Sequence, residues 1–465
     1  MIEALGNLLR LIGSFFPPDL SLSYLHALLV PIAQTIGMAA AGMLVAFALG
    51  IPLAVAIATR APGHRVIVGV LSALRAIPDL TLAILAVVLL GLGPAAGIAA
   101  LAVFYTAMVG RVFGDLFLAA DAAPLEALRA TGAPRVAIAA FGLIPLTQAD
   151  LLTFGTYAFE CAMRASIIVG AVGGGGIGTE LVGNLNNLDY HRTLTLVIVL
   201  VALVAGVDGF GMLARSRPRL VLLLVPLGLV SLWLYRPQLF AFGHAMHTFA
   251  AMFPPQLRAV QVASLPLVIA QTLAIAVGGT LLGAALAFPL SLAAARRLVP
   301  VAVALAVRRV LDIARAIPEL VFGVILVVTV GIGPLAGALA LGLHSAGVLG
   351  KLYAESFENV PVAPIAALAS TGARSLPLIA FGFVPLALGP MVVHTLFRLE
   401  WNVRAATVVG LIGAGGVGQA LFQAQQLFFY RQMLAYVVVT WALVALSDWF
   451  GERLRRRLGW HFIAG

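Results

Sequence analysis

Cysteine is almost missing from this 465-residue chain. Cys161 is the single one and lies inside an apolar run, so neither a disulfide nor a thiolate metal cluster is available. Charge is scarce as well: 10% of residues are charged against 62% hydrophobic, and mean hydropathy is +1.08. No water-facing surface can be assembled from that remainder, so the solvent of this chain is lipid. Acidic residues number 18 against 28 basic ones, a net charge of +10. This excess does not mark a nucleic-acid partner. The basic residues sit in short segments between apolar runs, the pattern of loops held on a cytoplasmic face. Residues 1–15 carry Glu3 and Arg10 but no long apolar core with a small-residue cleavage site. They are expected to form an interfacial amphipathic helix rather than a signal peptide. A nucleotide-binding P-loop is also missing, since Gly347-Val-Leu-Gly350-Lys351-Leu352 lacks both the spacing and the Ser/Thr. No metal cluster, nucleophile triad or pair of catalytic carboxylates stands out, so the chain is not expected to be an enzyme.

What is present is present twice. Arg75-Ala76-Ile77-Pro78-Asp79-Leu80 returns 240 residues later as Arg315-Ala316-Ile317-Pro318-Glu319-Leu320. The same offset carries Gly91, Gly93 and Pro94 to Gly331, Gly333 and Pro334, Gly132 to Gly372, and Tyr190 to Tyr430. Upstream the offset is 237, taking Phe16-Pro17-Pro18 to Phe253-Pro254-Pro255 and Gln34-Thr35 to Gln271-Thr272. Chance does not hold a register over that length, so the chain is a tandem duplication.

Apolar runs of roughly 20 residues, enough for about 30 Å of hydrocarbon, recur through each copy. Copy one has five, near 27–58, 66–90, 95–118, 144–169 and 191–213. Copy two repeats them near 263–295, 304–330, 335–357, 384–409 and 431–450. A further run near 219–236 has no counterpart. Five is odd, so two copies joined directly would face opposite ways; the extra span restores a common orientation. The expectation is an all-α polytopic membrane protein, a tandem parallel repeat with about eleven transmembrane helices. Its parts are a first repeat at 1–214, a linking span at 215–238 and a second repeat at 239–465, each repeat opening on an interfacial helix. Arginines support this arrangement. Arg60, Arg65, Arg129, Arg135, Arg215, Arg217 and Arg219 fall in inner loops of copy one. Arg296, Arg297, Arg308, Arg309, Arg374 and the 453–457 cluster do so in copy two. The N-terminus is then outside and the C-terminus cytoplasmic.

Between the third and fourth spans, Asp121 to Gly132 opens with helix-start residues, runs through an Ala/Leu-rich stretch and stops at glycine. It reads either as a plain surface helix or as a docking element. Here the chain resembles the permeases of bacterial ABC importers, whose cytoplasmic coupling loop has Glu-Ala-Ala, Gly six residues after the Glu, and Pro thirteen after the Gly. Glu126, Ala127, Gly132 and Pro145 match that pattern, with Leu128 in place of the second Ala. Ala366, Ala367, Gly372 and Pro385 match it in copy two, which lacks the Glu. Copy two adds His344, Gly350-Lys351, Glu355, Arg398-Leu-Glu400-Trp-Asn402-Val-Arg404 and Gly413-Ala-Gly415-Gly416-Val-Gly418. That series is similar to the permease of phosphonate importers. Copy one has Phe104, Ala158 and Ala162 where copy two has His344, Arg398 and Asn402.

The resemblance implies a type I ABC importer permease fold with both permease copies in one chain. It implies two copies of a cytoplasmic ABC ATPase, docked on the coupling segments and holding the ATP and magnesium that this chain does not bind. It also implies a periplasmic or lipid-anchored substrate-binding protein outside, and residence in the bacterial inner membrane among lipids, with no nucleic acid. The expected cargo is phosphonate or a related phosphorus oxyanion, phosphite or phosphate. An importer of methionine, a quaternary amine or a sulfonate is the alternative, and an ion-coupled secondary transporter a more distant one.

Two sets of membrane residues invite a role. Arg75/Asp79 and Glu160/Arg164, with Arg315/Glu319 and Glu400/Arg404, lie four apart. On one helix that spacing gives a shared face and local neutralisation. Such pairs either lock helices together or line a polar pathway, and a mixture is expected, with the Glu160/Arg164 and Glu400/Arg404 pairs beside the route. Gly173, Gly175, Gly176 and Gly178, matched by Gly413, Gly415, Gly416 and Gly418, follow a membrane helix without any βαβ context, so they are no dinucleotide fingerprint. They form either a gate that changes shape or a rigid, tightly packed turn.

Overall fold

The computed structural model describes residues 13–240 and 242–457, and every regular element among them is helical. The interfacial helix expected over residues 1–15 falls almost entirely outside the described residues. Two compact units divide between Phe253 and Pro254.

The first unit runs through α1 (Leu22–Ala27), α2 (Leu29–Ala58), α3 (His64–Arg75), α4 (Asp79–Leu90), α5 (Pro94–Leu118) and α6 (Ala122–Ala130). It continues with α7 (Arg135–Ile138), α8 (Ile144–Val169), α9 (Ile177–Asn186), α10 (Tyr190–Ser216), α11 (Leu224–Leu239) and α12 (Phe242–Ala251). At its centre α2 and α5 pack along small residues. A side chain at Gly42 would come within 2.7 Å of Leu101 Cβ, and one at Gly50 within 2.9 Å of Val109 Cγ1. In lipid the hydrophobic effect does not drive helix pairing, so close backbone approach through small residues supplies the dispersion that does. The extra span is α11 with the turn Pro218–Leu223 before it; it lies along α2, with Gly228 against Ala40 O. Next, α12 packs on α4.

The second unit repeats the plan as α13 (Ala259–Ala294), α14 (Val301–Ala316), α15 (Glu319–Val330), α16 (Pro334–Glu358) and α17 (Val362–Ser370). There follow α18 (Ser375–Leu378), α19 (Val384–Val409), α20 (Gly416–Gln426) and α21 (Tyr430–Arg457). Its central pair is α13 and α16, where Gly279 faces Leu341 Cβ and Gly342 faces Leu282.

The second span of each copy is kinked at its proline, as Pro78 and Pro318 lead one to expect, and the kink is sharp. It breaks at Pro78 and Pro318, and the two arms meet at 90° in the first unit and 83° in the second. Proline has no N–H to continue the ladder and pushes the preceding residue out of the helical region; Ile317 is extended, with φ −75° and ψ 118°. Two arms at right angles cannot both follow the membrane normal. A 12-residue arm such as α4 reaches only about 18 Å. Nine helical runs among the described residues are long and apolar enough to cross a bilayer, and the two bent pairs raise the number to eleven.

Candidate functional site

The coupling segments fold as short helices with one pinned face and one free face. In the first unit Asp121 caps α6, its carboxylate accepting from Ala123 N at 3.1 Å, and Thr131 Oγ1 donates to Leu128 O at 2.7 Å. Gly132 then takes a φ of +76°, a left-handed turn that reverses the chain without a Cβ penalty. Leu125 is buried beneath α6 on Gly142, where any Cβ would come within 2.8 Å of Leu125 Cδ2. Glu126 and Ala127 point away and are exposed. In the second unit α17 repeats this: Ile365 is buried on Gly382, Ala366 and Ala367 are exposed, and Gly372 has φ +86°. The residues nominated from the sequence thus lie on the exposed faces and at the terminating turns of α6 and α17.

The charges are arranged differently from the sequence expectation. Arg75 is the last residue of α3 and Asp79 the first of α4, so the elbow, not a helix face, separates them. Arg315, next to last in α14, and Glu319, first in α15, are likewise separated by an elbow. Arg315 Nε bonds Asp312 Oδ1 at 3.1 Å on its own helix, and Lys351 Nζ reaches the same oxygen at 3.4 Å. Glu319 Oε2 instead faces His344 Nε2 at 3.9 Å.

Glu160 and Arg164 do share α8, but their partners are on α10. Glu160 Oε1 accepts from Arg215 Nη1 at 3.3 Å, and the Asp208 charge acts on Arg164, whose Nη2 also contacts Cys161 Sγ at 3.7 Å. The second unit has the same ladder between α19 and α21, with Glu400 bonded to Arg455 and Arg404 to Asp448. Each ladder needs a glycine. A Cβ at Gly211 would overlap the Glu160 carboxylate, and one at Gly451 the Glu400 carboxylate. Asp208, Gly211 and Arg215 recur 240 residues on as Asp448, Gly451 and Arg455. That spacing, three then four, puts them on one helix face, and it was available in the sequence as the signal for this clamp.

The glycine segments are tightly held in both units. Gly173, Gly175 and Gly176 have φ of +105°, +82° and +76°, and Gly413, Gly415 and Gly416 have +93°, +92° and +75°. Gly178 and Gly418 let the segment fold against the end of the preceding helix, since a Cβ there would overlap Ile167 O and Thr407 O. The next helix starts without a cap of its own. Gln34 Oε1 accepts from Gly176 N at 3.0 Å and Thr35 Oγ1 from Ile177 N at 2.9 Å. Gln271 and Thr272 do the same for Gly416 N and Val417 N at 3.1 and 2.9 Å. The repeated Gln-Thr pair therefore satisfies orphan donors at the starts of α9 and α20 from across the unit.

One further polar group lies in the second unit. Asn402 Nδ2 donates to Thr280 Oγ1 at 2.9 Å and to Ser345 Oγ at 3.0 Å, and Arg398 Nε donates to Ser345 Oγ at 2.8 Å. His344 Nδ1 bonds the Ile317 carbonyl at 2.9 Å. All five side chains are buried.

The family described as "Binding-protein-dependent transport system inner membrane component" matches residues 27–236 and again 287–460. The chain is 32% identical to the phosphate-import permease protein PhnE of Mycolicibacterium smegmatis, over 98% of this chain and 90% of that one. It is 37% identical to the phosphite transport system permease protein PtxC of Stutzerimonas stutzeri, over 40% of this chain and 68% of that one. A solved structure of the MetNI methionine ABC transporter, inward facing, aligns with 43% of this chain and 99% of its own at 22% identity and a TM-score of 0.40. Matched in both of its repeats, this all-α chain belongs to the inner membrane components of binding-protein-dependent transport systems, with two permease domains in one polypeptide.

Proposed function

We propose that this chain is the membrane-spanning translocation subunit of an ATP-driven importer for phosphonate or a related phosphorus oxyanion, phosphite or phosphate. The observation that carries this reading is the 32% identity to a phosphate-import permease across 98% of the chain, both repeats included. Two ABC ATPase subunits, which bind the ATP and magnesium, dock on the exposed faces of α6 and α17. Their small side chains allow close approach, and Gly132 and Gly372 return the chain to the membrane. A periplasmic or lipid-anchored receptor delivers the substrate on the other side. The arginine-rich loops support a cytoplasmic position for α6 and α17, with the N-terminus outside and the C-terminus inside. ATP binding draws the two coupling helices together and turns the pathway outward; hydrolysis returns it. Each charge ladder ties the fourth span of its repeat to the last, so that the two move as one body. The glycine segments sit beside the route as its gate.

The test is uptake by proteoliposomes holding this chain with its co-purifying ATPase and receptor. Labelled methylphosphonate, phosphite and phosphate should accumulate only with ATP, and methionine should not compete. Uptake without the ATPase that vanishes when an ion gradient is collapsed would replace this reading with secondary transport. Competition by methionine or methanesulfonate alone would move the substrate to another class.

A further inference from the structure

The two repeats solve the same packing problem with different chemistry at one place. In the second unit, Thr280, Ser345, Arg398 and Asn402 come from three helices, α13, α16 and α19, with His344 and Glu319 beside them. At the equivalent positions the first unit has Met43, Tyr105, Ala158 and Ala162, all buried, with Phe104 and Asp79. There the fold closes without the Thr-Ser-Arg-Asn set, around Met43, Ala158, Ala162 and the ring of Tyr105. Holding helices together therefore does not require the polar set.

Nor is the polar set closed upon itself. A guanidinium carries five N–H donors. Arg398 gives Nε to Ser345, while its Nη2 is buried with no acceptor, on a side chain only 8% exposed. A buried cation with an unmet donor is costly and calls for an explanation. The surrounding polar groups are bonded to one another or to the backbone: Asn402 Nδ2 donates to Thr280 and Ser345, the Ser345 hydroxyl donates to Asn402 Oδ1 at 3.3 Å, and His344 Nδ1 bonds Ile317 O, so the unmet donor belongs to Arg398. The Glu319 carboxylate acts on Arg398 from the end of α15 and faces His344, so the net charge of the group is small. The planar fork of an arginine fits two oxygens of one tetrahedral oxyanion, and the hydroxyl, amide and imidazole groups would serve the third by exchanging their present partners for it. A nearby carboxylate keeps such binding weak, which suits a site that must release what it takes.

We propose that Arg398, with Ser345, Asn402 and His344, forms an oxyanion transit site inside the second repeat, taking the phosphorus head group of the cargo on its way through the membrane. The site rests on the reading of the chain as a phosphorus oxyanion importer. It is closed from water in this conformation, so it fills when the helices around it part during the cycle.

The experiment compares the wild-type chain with Arg398→Met and Arg398→Lys, each assembled with its ATPase and receptor in proteoliposomes. Uptake of labelled methylphosphonate, phosphate and methanesulfonate is read beside the thermal stability of each purified chain. Arg398→Met should lower methylphosphonate uptake by roughly tenfold or more, the loss expected for a charged hydrogen-bond partner. Its stability should be unchanged or higher, because an unmet buried charge is gone. Arg398→Lys keeps the charge without the fork and should fall between the two. Wild-type uptake by Arg398→Met overturns the site and leaves the import reading intact. A loss of uptake matched by a loss of stability in both variants makes Arg398 a helix lock and also overturns it. A wild type that carries methanesulfonate and no phosphorus compound sinks the phosphorus-oxyanion reading, and the site with it.

Discussion

Gly211 and Gly451 give the sharpest check on the charge ladders, because the same substitution has opposite expected effects one turn apart. Within a helix, Gly→Ala ordinarily gains about 1 kcal/mol. Gly206 and Gly209 lie on α10 with nothing within 4 Å of a new Cβ, so alanine there should be neutral or mildly stabilising. Gly211 is on the same helix, but its Cβ would overlap the Glu160 carboxylate. The carboxylate must leave Arg215, and breaking a buried pair costs about 3–5 kcal/mol. The Arg215 side chain is 33% exposed and finds water, which places its loss at the low end. Net of the helix gain, Gly211→Ala should lose roughly 2 kcal/mol. Glu400 and Arg455 are only 14% and 15% exposed, so Gly451→Ala should lose more, about 2–4 kcal/mol. Thermal unfolding of the purified chain, read by loss of monodispersity, ranks these variants against Gly206→Ala and Gly209→Ala. Adding Glu160→Ala to Gly211→Ala should recover part of the loss, since the overlap is then gone. Should Gly211→Ala prove as stable as Gly209→Ala, the clamp is not where the charges are held.

Other expectations are as direct. Thr35→Val and Thr272→Val keep shape but strand the N–H of Ile177 or Val417, so each should cost about 1–3 kcal/mol, equally in the two repeats, by thermal unfolding. Glu400→Ala and Arg455→Ala should each cost about 3–5 kcal/mol while the double variant costs less than their sum, a coupling that a thermodynamic cycle reads directly. Gly132→Trp and Gly372→Trp meet open space, so the chain should still purify as a folded species. Their positive φ and the added bulk should nonetheless abolish ATPase co-purification and uptake.

The duplication, the all-helical membrane class and the short helices α6 and α17 were legible from the chain because each depends on local pattern. Hydropathy windows find apolar runs, and an N-capping aspartate and a terminal glycine bound α6. Windows do not see elbows, however. Ile77-Pro78 and Ile317-Pro318 are apolar on both sides; the prolines mark a kink in each run, but nothing local sets its size, which is close to a right angle. The charge pairing was misassigned for a related reason. The four-residue rule proposes the nearest opposite charge, but it carries no information about a neighbouring helix that offers a better one. For Glu160 the decision was made by Gly211, whose missing side chain opens the space that Arg215 shares. Gln34-Thr35 was visible only as a repeated marker; its partners lie 142 residues away, and only the folded unit shows that it caps a helix.

Two copies in one chain also sort folding demands from functional ones. The Gln-Thr caps, the glycine turns and the proline elbows occur in both units with closely similar geometry, and the Glu-Arg contact over a glycine recurs as well, which marks them as conditions for building the repeat. Other features differ: Glu126 faces outward on α6 where α17 has Ala366, and the buried polar set around Arg398 exists in one unit alone. A feature that one copy does without is not needed to make the fold. The contrast separates two kinds of consequence. Substitutions at shared positions should act through stability and in parallel in the two repeats, as Thr35→Val and Thr272→Val would. Substitutions at Arg398 should act on what is transported and leave the helices standing. A stability loss at Arg398 as large as that at Gly451 would remove the distinction and return the polar set to the scaffold.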